Sequence, residues 1–272
     1  MQRLILNADD YAMDEGADRA ILTLIAQKVV TATSAMALSP RWTQAADEIR
    51  QMNADCGLHL DLTSEFAATR SAVPALPALI ARSYAGKLDA DAIGGAIDAQ
   101  LDLFEGALGR PPDFIDGHQH VHQLPIVRSQ LMDALRRRYG ADAARIGIRI
   151  CASRRWRGTK AQLIGALGAA PTEELARRFG HLVNSDFIGV YGFSPKADLP
   201  SLWRQWLTDM AGEVPLAMCH VAAPSGRSAP GDPIRAARIN ELTWLASDAF
   251  RDLCAELSVT LNRWPRESRS GV

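Results

Sequence analysis

Short apolar runs of strand length alternate with longer stretches of helical periodicity along almost the whole chain, and no other feature constrains the fold as strongly. Elements in that order bury both kinds of apolar surface when parallel strands form a sheet with helices packed on it, so an α/β architecture is expected. The strand candidates are Arg3–Asn7, Val30–Met36, Cys56–Leu60, Phe114–Asp116, Ile146–Ile150, Phe187–Val190, Val214–His220 and Val259–Leu261. Helical spacing fills most of the intervals. Asp14–Gln27 opens with acidic residues and repeats Ala17, Ile21, Leu24 and Ile25 on one face; Trp42–Met52, Ala90–Leu108 and Ile126–Tyr139 follow, and Asp232–Leu257 reads as the last long helix. No repeat or break in composition marks a boundary. One domain over residues 1–264 is therefore expected, followed by a polar, frayed tail at 265–272. The longest irregular stretches, Thr63–Pro77 and Ala222–Pro233, each follow a histidine-bearing strand, as do the loops that build the active face of an α/β barrel.

Charge and cysteine content narrow the partners. Thirty basic residues stand against 31 acidic ones, and no block of like charge occurs, so neither nucleic acid nor an anionic membrane is an expected partner. The apolar stretch Leu4-Ile5-Leu6 is too short for a signal peptide or a membrane span, which points to the cytoplasm. The four cysteines are scattered, with no CxxC pair, and read as reduced, buried thiols.

Polar groups recur where the apolar runs end. Asp9-Asp10 closes the first run. Adjacent strand residues point to opposite faces, so the two carboxylates share a site only if the backbone turns there; a solvated loop or a helix N-cap is the competing reading. Alternation in Gly57-Leu58-His59-Leu60-Asp61-Leu62 puts His59 and Asp61 on one face, and a hydrogen-bonded core histidine is the alternative. In Asp116-Gly117-His118-Gln119-His120-Val121-His122, three imidazoles at alternate positions share one side of an extended chain. The strand ending at Met218-Cys219-His220 delivers a further histidine. Several separate strands thus bring chemistry to one end of a parallel sheet or barrel. Two histidines and a carboxylate can hold a divalent ion with coordination positions left open; a second carboxylate can then take a proton from water, and a distal histidine can protonate a departing amine. No GxSxG elbow, P-loop or GxGxxG supports a nucleophilic or nucleotide-binding alternative.

The blocks Asn7-Ala8-Asp9-Asp10-Tyr11, Val30-Thr31-Ala32-Thr33-Ser34, Gly57–Thr63, Asp116–His122 and Met218-Cys219-His220 resemble, in order and spacing, the YdjC-like (ChbG/HpnK) family of carbohydrate deacetylases. The resemblance runs from residue 3 to about 261. It implies an irregular, TIM-barrel-like (β/α) barrel and a metal-dependent hydrolase that removes the acetyl group of an N-acetylated mono- or oligosaccharide. By motif position it assigns Asp10, His59 and His118 to one divalent metal ion, zinc or magnesium, Asp9 to the general base and His220 to the acid. Tyr11-Ala12 stands where Phe-Gly is more usual, and Val221 replaces a proline, which leaves the particular sugar open. Asp61, Asp116, His120, His122 and Arg149 are candidates for contacting substrate or supporting the ligands. Trp156, Trp203 and Trp206 are either sugar-stacking or packing residues. Another metallohydrolase, for an acyl amide or a phosphodiester, and a non-catalytic metal or sugar binder are the rival readings. A homodimer through an apolar helix face stays open.

Overall fold

The computed structural model describes residues 2–70, 75–224 and 232–265. Eight parallel strands form one sheet: β1 (Gln2–Tyr11), β2 (Ala32–Ala35), β3 (Asp55–Leu60), β4 (Phe114–Gly117), β5 (Gly147–Ile148), β6 (Phe187–Ile188), β7 (Leu216–Cys219) and β8 (Val259–Leu261). Their order is β5-β4-β3-β2-β1-β7-β6, with β8 attached to the start of β1. β1 is the hub because it is long enough to serve two partners on one side in turn. Gln2–Leu4 pair with β8, and Ile5–Ala8 pair with β7.

The sheet curls into an incomplete barrel, in agreement with the α/β barrel expectation. Between its two ends, β5 and β6 do not form a ladder. A single bridge joins Ile148 to Val183, and the Asn184 side chain does the work of a strand: its Oδ1 accepts from Ile150 N at 2.7 Å and its Nδ2 donates to Ile150 O at 2.9 Å. This substitution explains why β5 and β6 are two residues long, where the apolar runs suggested Ile146–Ile150 and Phe187–Val190.

Strand alternation sorts the interior from the helix-facing side. Leu4, Leu6 and Ala8 of β1, Leu58 and Leu60 of β3, and Ala217 and Cys219 of β7 join the core that packs against the helices. Ile5, Phe114, Phe187, Leu216, Met218 and Trp264 fill the barrel interior instead. Trp264 stacks on Phe114, ring centroids 5.4 Å apart, and closes the end of the barrel away from the strand C-termini. Two glycines make room for those rings: a Cβ on Gly57 would lie 2.5 Å from Phe114, and one on Gly147 would lie 2.7 Å from Trp264. Continuing the inward register up the strands leads past this apolar plug to Asp9, His59, Asp116 and His220.

Helices separate most strands as expected, with two corrections. Asp232–Leu257 is not one helix but two, Arg235–Leu245 and Asp248–Glu256, because Ser247 accepts from Phe250 N and caps a new start. Thr63–Pro77 is not wholly irregular: Ser64 caps a helical turn at Glu65–Ala68, and Leu76 begins the helix Leu76–Tyr84. Part of Ala222–Pro233 and all of the tail but Pro265 lie outside the described residues. All four cysteines are buried and none is in a disulfide. Among the described residues no helix is long and apolar enough to cross a membrane.

Because Gly57 lies two residues before His59 on the inward face, crowding Phe114 disturbs both the plug and the layer above it. Gly57→Ala should lower unfolding free energy by about 1–3 kcal/mol, read by chemical denaturation. Gly95→Ala, in the helix Ala90–Leu108 with nothing within 4 Å of the new methyl, should instead raise it by up to about 1 kcal/mol. Equal effects of the two changes would contradict this packing.

Candidate active site

The layer above the plug is built by one backbone irregularity. The register of β1 against β2 shifts between Ala8 and Tyr11, and Asp10 adopts φ 68°, in the left-handed region. A regular strand would turn Asp10 toward the helices. The bulge brings it to the same interior as Asp9, which settles the turn that two adjacent carboxylates require.

Asp10 Oδ1 lies 3.3 Å from His59 Nε2 and 3.1 Å from His118 Nδ1. These three side chains can present one ligand atom each, all within 4.8 Å of one another. His59 reaches this point from the inward face of β3, and its other nitrogen, Nδ1, donates to Asp116 Oδ1 at 2.6 Å. That bond fixes the ring so that Nε2 faces Asp10. Burial opposes a charge on His59, yet Asp116, together with Asp10 and Asp9, raises its pKa to about 10. His118 is the accessible member, with 21% of its side chain exposed.

The three imidazoles of the Asp116–His122 segment do not share one side of an extended chain. After β4 the backbone enters a 3-10 turn, His118–Gln123, with Gln119 and His120 at φ 52° and 61°. Each ring therefore has its own surroundings. His120 Nδ1 lies 3.5 Å from Cys151 Sγ, and its ring packs edge-on against Phe187. His122 is buried and its Nε2 donates to Arg149 O at 2.9 Å; burial holds its pKa at about 4.

Arg149 is fully buried and faces carboxylates, leaving no surface for a sugar hydroxyl. Its guanidinium donates to both oxygens of Asp9, at 2.8 and 2.5 Å, and also pairs with Asp116. Burial disfavours the Asp9 charge, but the Arg149 pair outweighs it and holds the carboxyl well below its usual range. His220 Nε2 stands 3.9 Å from Asp9 Oδ2, and burial lowers the His220 pKa to about 4 against the pull of Asp9 and Asp10. Asp61 is elsewhere: it accepts from Thr63 N, Ser64 N and the Ser64 hydroxyl, and so secures the turn after β3. Its expected partnership with His59 fails because the strand ends at Leu60.

Two site residues escaped the sequence reading. Arg238 donates from Nη2 to Asp10 Oδ2 at 2.7 Å and from Nε to Asp232 at 2.9 Å. Glu241, one turn further along the helix Arg235–Leu245, accepts from His220 N at 3.0 Å and from the Tyr191 hydroxyl at 2.8 Å. Charged residues on a helix ordinarily mark its solvent face. Only their three-residue spacing, on the first helix after the His220 strand, hinted otherwise.

The family model described as YdjC-like protein matches residues 3–256. The chain belongs to that family. Among its curated relatives are chitooligosaccharide deacetylases of Yersinia pestis (strain Pestoides F) and Yersinia enterocolitica, each 36% identical over 131 and 129 residues, respectively, or 45% of this chain. The chain spans about half the length of these relatives, 51% of each. A solved structure of a putative cellobiose-phosphate cleavage protein from Enterococcus faecalis V583 superposes with a TM-score of 0.71 at 23% identity, covering 96% of this chain and 97% of that one. The incomplete barrel is thus the fold of this YdjC-like chain over nearly its whole length.

Burial raises the Glu241 pKa to about 8, against the lowering pull of His220 N–H, Tyr191 and Arg238. The folded chain therefore holds this proton more tightly than the unfolded chain, whose value is near 4.5. The associated stability is complete below pH 4.5 and is lost as pH rises through about 8. Glu241→Gln, which keeps the shape, should flatten stability against pH across that window. An unchanged slope in denaturation curves from pH 5 to 8 would contradict it.

Proposed function

We propose that the chain is a metal-dependent hydrolase that removes the acetyl group of an N-acetylated mono- or oligosaccharide. The observation that carries the reading is the placement of Asp9, held ionised by Arg149, beside the Asp10–His59–His118 donor cluster and 3.9 Å from His220. The names of the Yersinia relatives support the choice of a sugar acetamide.

The donor set fits a divalent cation. One carboxylate oxygen and two imidazole nitrogens converge, the outer nitrogen of His59 is tied to Asp116, and the second oxygen of Asp10 is taken by Arg238. Asp10, His59 and His118 would hold the ion. Two imidazoles favour zinc or another transition ion over magnesium, which prefers oxygen donors. When bound, the cation supplies Lewis acidity that polarises the acetyl carbonyl and acidifies water.

The chain's own residues carry the proton traffic. Asp9 accepts the proton of the attacking water as its oxygen bonds to the carbonyl carbon. Arg149 keeps Asp9 ionised and fixes both of its oxygens, so the base does not rotate away. His220, neutral at neutral pH, takes the proton that Asp9 accepted, 3.9 Å away, and passes it to the amine nitrogen as the C–N bond breaks; the free amine leaves, and acetate leaves on losing its hydroxyl proton to solvent. The Glu241 carboxyl holds the His220 backbone in place. Arg149 and Arg238 are both committed to carboxylates, so neither is a free cationic group for a phosphodiester.

Asp10→Ala and His118→Ala should lose bound metal and acetate release together. Asp9→Asn should keep the metal while kcat falls by about 100- to 10,000-fold. Metal content by elemental analysis, alongside acetate release from N-acetylated sugars, separates the two classes. Full activity in chelator-stripped protein would refute the mechanism.

A further inference from the structure

A second concavity opens on the same face of the barrel as the candidate site. The chain leaving β5 contributes Trp156 and Lys160, the chain leaving β6 contributes Tyr191 and Gly192, and the resulting pocket encloses about 410 Å³, within the usual range for small-molecule sites. Trp203 and Trp206 are buried packing residues, but Trp156 is 70% exposed at the pocket wall. Its indole lies at the wall of a cavity and is free to stack on a ring that enters it.

One aromatic layer separates this pocket from the His220 end of the site. The Phe193 ring packs edge-on against His220, centroids 5.0 Å apart, and Lys160 Nζ sits 4.1 Å from the centroid of the same ring. Lys160 also donates to Tyr191 O at 2.9 Å, while the Tyr191 hydroxyl bonds Glu241, which holds the His220 backbone. Phe193 adopts φ 53°, a strained conformation for an aromatic residue, and the strain is what places its ring in this position.

The chemistry of the walls selects the ligand. Arg157 borders the pocket but is spent on Asp186 at 2.8 Å and Asp209 at 2.7 Å, so it offers nothing to an anion. What remains is a flat indole with Gln205 and Lys160 on the rim, suited to a ring with an apolar C–H face and hydroxyls at its edge.

We propose that this pocket is a subsite for a non-scissile sugar ring of an N-acetylated oligosaccharide, with Trp156 as its stacking platform. The inference rests on the deacetylase reading for its substrate and makes the enzyme a chain-length reader. Acetate release is measured from N-acetylglucosamine and from its β-1,4-linked oligomers of two to five rings, with the unaltered protein, Trp156→Ala and Trp156→Phe. The unaltered protein should show a KM that falls as rings are added. Trp156→Ala should raise KM for the longer oligomers by about tenfold, leaving kcat and the single-ring KM unchanged, and Trp156→Phe should restore most of the loss. No change, or the same change at every length, overturns the subsite. If no N-acetylated sugar releases acetate, the deacetylase reading fails, and isothermal titration calorimetry with the tetramer decides the subsite by itself. Binding weakened about tenfold in Trp156→Ala and largely restored in Trp156→Phe supports it, and no binding, or equal affinity in all three proteins, overturns it.

Discussion

Three carboxylates, Asp9, Asp10 and Asp116, are buried together at the mouth of a small barrel, and the rest of the site is arranged around the need to neutralise them. Burying charge without partners is prohibitive, and like charges at this spacing compound the cost. Arg149 joins Asp9 to Asp116 from β5, and Arg238 meets Asp10 from the helix after β7. Arg238 also pairs with Asp232, so two guanidiniums face four carboxylates and two negative charges are left over. A proton on His59 balances one of them, and a divalent cation among Asp10, His59 and His118 would balance both while leaving the imidazoles neutral. The same imbalance thus accounts for the raised pKa of His59 and for the site's suitability for a cation.

The scaffold supplies the precision that such a cluster demands. Inward-facing positions on β1, β3, β4 and β7 stack an apolar plug beneath a polar layer, so the site rests on packed side chains. The bulge at Asp10 departs from strand geometry and brings two adjacent carboxylates, which a regular strand would face apart, into one interior. Access comes from the side of His118 and His220, both partly exposed.

Much of this was legible in the sequence because strand alternation is a strict geometric rule. His59, Asp116 and His220 sit where period-two counting from their apolar neighbours puts them. The rule failed where the backbone left the strand. Asp61 lies one residue beyond β3 and turned to cap the next loop, and the His118–His122 triplet entered a 3-10 turn whose left-handed residues sent the rings apart. Arg238 and Glu241 were hidden for a different reason. The burial of Arg238 follows from its pairing with Asp10, more than 200 positions away, and that of Glu241 from its bonds to His220 N and the Tyr191 hydroxyl, which no local pattern records.

The proposed chemistry requires side chains from β1, β3 and the turn after β4 to hold one cation together. X-ray absorption at the zinc edge of the zinc-loaded protein reads that shell. Two imidazole nitrogens and a carboxylate oxygen are expected at about 2.0–2.2 Å, with one imidazole missing in His118→Ala. Sulfur at about 2.3 Å, or a shell without imidazole, would contradict it.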